Sequence, residues 1–165
     1  MPEGRGYKKM KKLTTLREVL KTATAFEETA RDFYADLVPK VSKNLRYLVE
    51  ELVEEEQEHV DLFAGWAERD DMVEMLDTRI KRPASDRKFS DCIQVPDLGE
   101  NPDDQTVLQY ALTRENAAME QYIALAKETP AGPLQELFHM LAEEETKHKN
   151  ELEAIYYKVV HSGGV

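Results

Sequence analysis

Acidic residues interrupt the apolar stripes of this chain at matching places in its two halves. The first half carries Glu27 with Tyr34 two helical turns further on, then the step Glu56-Gln57-Glu58-His59. The second half carries Glu115 with Tyr122 at the same offset, then the step Glu145-Thr146-Lys147-His148. Residues three, four or seven apart share one face of a helix, so each Glu-x-x-His step projects both side chains in one direction. Six groups able to ligate a metal therefore stand where a helical protein ordinarily places leucine. A chain that folds around them has to give them a purpose.

Four long segments carry a period of 3.6 residues and predict an all-α protein. The first runs from about Thr15 to Val38, with Leu16, Leu20, Ala23, Ala30, Tyr34 and Leu37 on one stripe. Thr14 or Thr15 with Glu18 supplies a capping arrangement, and Pro39 marks the following turn. The second runs from about Ser42 into the region of Trp66, with Leu45, Leu48, Leu52 and Phe63 inward and Trp66 as core or interface. A shorter helix is expected through Met72, Met75 and Leu76. The third runs from about Asp104 to Glu128, with Leu108, Leu112, Met119, Tyr122 and Ala126 inward. The fourth runs from about Pro133 to Val159, with Leu134, Leu137, Leu141, Leu152 and Ile155 inward.

Short turns join the first pair and the second pair of helices, so each pair is antiparallel. Between the pairs, residues 81–104 hold Pro83, Pro96, Gly99 and Pro102 without a sustained period. A connection of that length is unusual in a compact domain unless it travels far. A helix of two dozen residues is about 35 Å long, and a segment of this size can return along it. The expectation is a ferritin-like four-helix bundle with a long crossover between its second and third helices.

The length of 165 residues suits a single domain, which we place at residues 14–160. Residues 1–13, with Arg5, Lys8, Lys9, Lys11 and Lys12, read as a basic, disordered lead-in. The net charge of -11 argues against nucleic acid and anionic membranes as partners. No apolar run approaches a membrane span or a secretory signal, and the single Cys92 excludes an internal disulfide and a four-cysteine iron site. Cys92 is expected to sit inertly in a loop, and a cytoplasmic location follows as the simplest expectation. His139 and His161 fall off the ligand pattern and read as surface residues.

In their stripes, Glu27 lies between Ala23 and Ala30, and Glu115 between Leu112 and Met119. Glu56 and His59 lie between Leu52 and Phe63, and Glu145 and His148 between Leu141 and Leu152. A charge run such as Glu54–Glu56 or Glu143–Glu145 is ordinarily a solvated face, and one Glu-x-x-His alone reads that way. Two such steps flanked by leucines, each paired with a further stripe glutamate, do not. Burying four carboxylates together is prohibitive without compensating charge. Two divalent cations provide it, and mixed carboxylate–imidazole ligation suits iron or manganese. Tyr34 and Tyr122 would each hydrogen-bond a ligating carboxylate.

On these residues the chain resembles the ferritin-like di-iron carboxylate proteins, and most closely a rubrerythrin domain without its rubredoxin domain. The resemblance implies two iron ions cycling between ferrous and ferric states and reacting with hydrogen peroxide or dioxygen, in protection against oxidative stress. It implies Glu27, Glu56, His59, Glu115, Glu145 and His148 as ligands, with Glu56 and Glu145 bridging and Glu27 and Glu115 terminal. Rubrerythrins carry a further glutamate one turn after the third helix's ligand, where this chain has Ala118. With one cysteine, electrons would come from a separate donor protein or from Fe(II) itself. A ferroxidase handling iron, a non-enzymatic bundle with a structural or empty site, and a manganese catalase are the alternatives. A homodimer is the expected assembly.

Overall fold

The computed structural model describes residues 13–81 and 95–162. The expectations placed on the basic lead-in (Leu13 aside), on Cys92 and on most of the 81–104 connection lie outside the described residues. In chain order the elements are β1 (Leu13–Thr15), α1 (Leu16–Leu37), α2 (Lys43–Ala67), a 3-10 turn (Asp70–Met72), α3 (Val73–Leu76), β2 (Arg79–Lys81), α4 (Asp104–Glu128) and α5 (Pro133–His161).

Local chemistry explains where the helices begin. Thr15 Oγ1 accepts a hydrogen bond from the Glu18 amide at 3.2 Å, and the hydroxyls of Thr14 and Thr15 donate to the Glu18 carboxylate at 2.7 and 3.1 Å. This reciprocal arrangement satisfies donors that the first turn leaves open. Asp103 accepts from the Thr106 amide at 2.7 Å and starts α4. Gly132, at φ 152°, occupies a conformation that side chains disfavour, and Pro133 then opens α5. The Gln135 amide closes that turn by donating to the Ala126 and Thr129 carbonyls.

The apolar core comes in two clusters. One takes Leu16 to Phe26 of α1, Phe63 of α2, Ala118 to Ala126 of α4 and Leu134 to Ala142 of α5, with Leu76 and Ile80. The other takes Ala30 to Leu37 of α1, Leu45 to Leu52 of α2, Val107 to Ala111 of α4 and Leu152 of α5. Following each helix from cluster to cluster gives its direction. α1 and α5 run from the first cluster to the second, whereas α2 and α4 run the other way. α2 and α4 are therefore parallel, and the chain between them must return the length of the bundle. This is the ferritin-like crossover topology expected from the loop lengths.

Two features differ from expectation. On α4 the fully buried stripe is Leu108, Ala111, Glu115, Ala118, Tyr122 and Leu125, while Leu112 and Met119 are half-buried. The larger residues suggested the stripe, but the inner face of α4 uses alanine. The second is a short antiparallel pairing of β1 with β2, Thr14 opposite Ile80, extended by the Leu16 amide donating to the Thr78 carbonyl at 3.0 Å. It closes α1 and α3 around the buried Leu76 and Ile80. Among the described residues no helix is long and apolar enough to cross a membrane.

Candidate metal centre

Between the two apolar clusters lies a polar layer. Glu27, Glu56, Glu115 and Glu145 are each 0% exposed, at the middles of α1, α2, α4 and α5. With the histidines they form two groups, Glu27–Glu56–His59–Glu145 and Glu115–Glu145–His148, each with ligand atoms within 4.8 Å of one another. Glu145 belongs to both. His59 Nδ1 lies 3.5 Å from Glu27 Oε1 and 3.3 Å from Glu145 Oε1. His148 Nδ1 lies 3.9 Å from both Glu115 Oε2 and Glu145 Oε2. The structure thus brings together all six residues singled out as ligands.

Each imidazole is held from behind by a carboxylate of the opposite hairpin. His59 Nε2 of α2 is 3.0 Å from Glu144 Oε2 of α5, and His148 Nε2 of α5 is 3.2 Å from Glu55 Oε1 of α2. With Nε2 bonded outward, Nδ1 faces the cluster, the orientation a carboxylate-backed metal ligand requires. Burial works against a charged His59, but the hydrogen bond to Glu144 and the nearby Glu27 carboxylate outweigh it and push its pKa up to about 10. The same bond holds Glu144 below its ordinary value. Glu55 is pushed up to about 8 by burial and by the repulsion of Glu115.

The tyrosines do not behave alike. The Tyr122 hydroxyl donates a short hydrogen bond to Glu27 Oε1. Tyr34 is fully buried beside Phe33 and Tyr110, and its hydroxyl has no hydrogen-bond partner among the described residues. The expected bond from Tyr34 to a carboxylate is absent. Its symmetry-related target, Glu115, turns Oε1 to Arg114 and Oε2 toward His148.

Arg114 is the residue that sequence reasoning missed. It is 1% exposed, with its guanidinium 4.2 Å over the Phe26 ring. Nη1 donates to Glu56 Oε1 at 2.8 Å, and Nη2 forms an ion pair with Glu56 Oε2 at 2.7 Å. Nη2 also donates to Glu27 Oε2 at 2.6 Å, and Nη1 to Glu115 Oε1 at 3.3 Å. Burial alone would raise Glu27, but Arg114 and its hydrogen bonds hold it well below the ordinary carboxylate range. Glu56 goes the other way: burial dominates and Arg114 offsets it only in part. Burial, then Glu115, pushes Glu145 well up. Glu55 and Glu144 also escaped notice, although each directly precedes the glutamate of its Glu-x-x-His step. That matching offset was the available signal. A lone arginine beside Glu115 offered none.

Both oxygens of Glu145, Glu56 Oε2, Glu115 Oε2, His59 Nδ1 and His148 Nδ1 are buried without a hydrogen-bond partner among the described residues. Six converging atoms of this kind are costly in a folded protein unless something binds them. All are acceptors once deprotonated, and oxygen with imidazole nitrogen is a donor set that suits iron or manganese. The residues fit a pair of such ions.

A rubrerythrin family model matches residues 106–162, the stretch that carries Glu115, Tyr122, Glu145 and His148. Among solved structures, the chain is similar to a Thermotoga maritima protein assigned to the ferritin-like diiron-carboxylate group. The TM-score is 0.70 at 16% sequence identity, over 88% of this chain and 97% of that one. No curated protein matches the chain. The chain therefore has a ferritin-like fold with a rubrerythrin-like second half, as the resemblance in sequence implied.

Proposed function

We propose that this rubrerythrin-like chain is a non-haem di-iron oxidoreductase that reacts with hydrogen peroxide or dioxygen. The observation that carries the reading is the convergence, from four helices, of two buried ligand groups sharing Glu145, each with its imidazole braced by a carboxylate. Glu27, Glu56, His59 and Glu145 would hold one ion, and Glu115, Glu145 and His148 the other. When bound, iron would supply a ferrous/ferric couple able to pass electrons to an oxidant.

The remaining work falls to the chain. Tyr122 fixes the orientation of Glu27, and Glu144 and Glu55 aim the two imidazoles inward. The apolar clusters above and below exclude bulk water from the carboxylate layer. A cleft of about 20 Å³ between α2 and α5, lined by Leu48, Glu51, Glu55 and His148, reaches the layer. That volume suits a molecule the size of water or peroxide. Electrons would come from a separate donor protein.

To test this, the metal-free protein is loaded anaerobically with Fe(II), given peroxide, and followed optically. Peroxide consumption no faster than with free iron overturns the oxidoreductase reading. A second reading, a ferroxidase that takes Fe(II) as its substrate, is favoured by Ala118. That residue is 0% exposed and packed in the apolar core, so no exchangeable carboxylate stands one turn after Glu115. Size-exclusion chromatography separates the two, because a cage or ring supports iron storage and a dimer supports the first reading.

A further inference from the structure

Arg114 puts a fixed positive charge inside the layer that the proposed function reserves for metal. It donates hydrogen bonds to Glu56 Oε1 and to the outer oxygen of Glu27, and pairs by charge with Glu56 Oε2 at 2.7 Å. The inner oxygen of Glu27 is already shared with Tyr122. One ligand group is thus engaged by the protein's own cation. The other is nearly untouched. Arg114 reaches only Glu115 Oε1, at 3.3 Å, and leaves Glu115 Oε2, Glu145 Oε2 and His148 Nδ1 facing one another.

We propose that Arg114 is a resident counter-cation that makes the two metal positions unequal. On this inference, which rests on the metal-binding reading above, the Glu115–Glu145–His148 position fills first. The Glu27–Glu56–His59 position fills only when the guanidinium lets go of Glu56 and Glu27.

Charge supports the same order. Four carboxylates with one guanidinium carry a formal charge of -3, which one divalent ion nearly balances. A second divalent ion beside a seated guanidinium leaves a buried excess of positive charge, which a medium of low polarity penalises. Release is feasible in kind, because a buried arginine is held by its partners. When two cations draw Glu27 and Glu56 toward themselves, the guanidinium loses the anions that fix it. Arg114 also explains how four buried carboxylates can sit together before metal arrives.

The test is an anaerobic titration of the metal-free full chain with Co(II), whose visible bands report coordination while equilibrium dialysis counts bound ions. Wild type is expected to bind one Co(II) tightly and a second about 100-fold more weakly or worse. Arg114→Gln is expected to bring the two affinities within about tenfold of each other. Should that variant not fold, single histidine variants answer instead. His148→Ala should abolish the tight step, whereas His59→Ala should keep it and lose the weak one. Two equal steps in wild type, an unchanged Arg114→Gln, or the reverse histidine pattern overturns the inference. No Co(II) bound by wild type at all would overturn the metal-binding reading beneath it.

Discussion

Glu145 is the one side chain common to both ligand groups, so replacing it should cost both metal positions at once. Glu145→Gln is the informative change. It keeps the volume of a side chain that is 0% exposed among close neighbours. Burial and the repulsion of Glu115 push the wild-type carboxyl well above its ordinary value. Exchanging the carboxyl for an amide of the same shape should change the stability of the metal-free protein by about 1 kcal/mol or less. The metal-dependent part should change far more. A ligand present at 100 to 1,000 times its Kd stabilises the folded state by about 2.7 to 4.1 kcal/mol. In a domain of this size each kcal/mol moves Tm by about 2–4 °C, so wild type should gain roughly 5–16 °C on loading. If Glu145→Gln weakens binding 100- to 1,000-fold, the same metal concentration sits near Kd. The gain then shrinks to about 0.4 kcal/mol, or roughly 1–2 °C. Anaerobic scanning calorimetry with chelator and with Fe(II) measures both states. A variant that keeps more than half of the wild-type gain would refute the sharing of Glu145.

Removing the brace behind one imidazole should act on one position only. Glu144→Ala is expected to weaken metal binding at the His59 position about 10- to 100-fold, and Glu55→Ala to act less strongly at His148, since water can replace a brace behind the more exposed ring. Competitive titration against a chelating dye reads both. The metal-free protein should lose thermal stability between pH 6 and pH 9. His59, raised to about 10, contributes fully below its unfolded value of 6.5 and progressively less as pH rises toward 10. Glu55, raised to about 8, and Glu56 and Glu145, raised well above their ordinary value by burial, lose their contributions in the same direction once pH exceeds their unfolded value of 4.5. A Tm that is flat or rises over this range contradicts those assignments. Tyr122→Phe should cost about 1.5–3 kcal/mol in guanidinium chloride unfolding, since the lost bond is to a carboxylate, while Arg114 still holds Glu27.

What could be read from the sequence depended on range. The termini of α4 were expected at about Asp104 and Glu128, where they stand. The crossover followed from loop lengths alone. The β1–β2 pairing was not legible, because three-residue strands 66 positions apart have no periodicity of their own. Their pairing depends on β2 arriving beside the start of α1, which only the packing of Leu76 and Ile80 arranges. The inward face of α4 was misread by one position on the helical wheel. Large apolar residues at 112 and 119 outvoted the alanines, yet close approach of helices around a polar layer favours small side chains.

The same limit of range explains Arg114, Glu55 and Glu144, and it bears on how the two halves depend on each other. The sequence pattern repeats within each half, but the contacts that complete the site run between halves. His59 of the first half is braced by Glu144 of the second, and His148 of the second by Glu55 of the first. Glu27 takes its hydrogen bonds from Tyr122 and Arg114, both on α4. An α1–α2 hairpin alone would leave Glu27 and Glu56 on an open face, and burying them without these counter-groups is energetically prohibitive. Neither half can therefore form its share of the layer before the other docks, although each carries its ligands in sequence. The repeat specifies where the ligands stand, and the docking of the hairpins makes those positions tolerable.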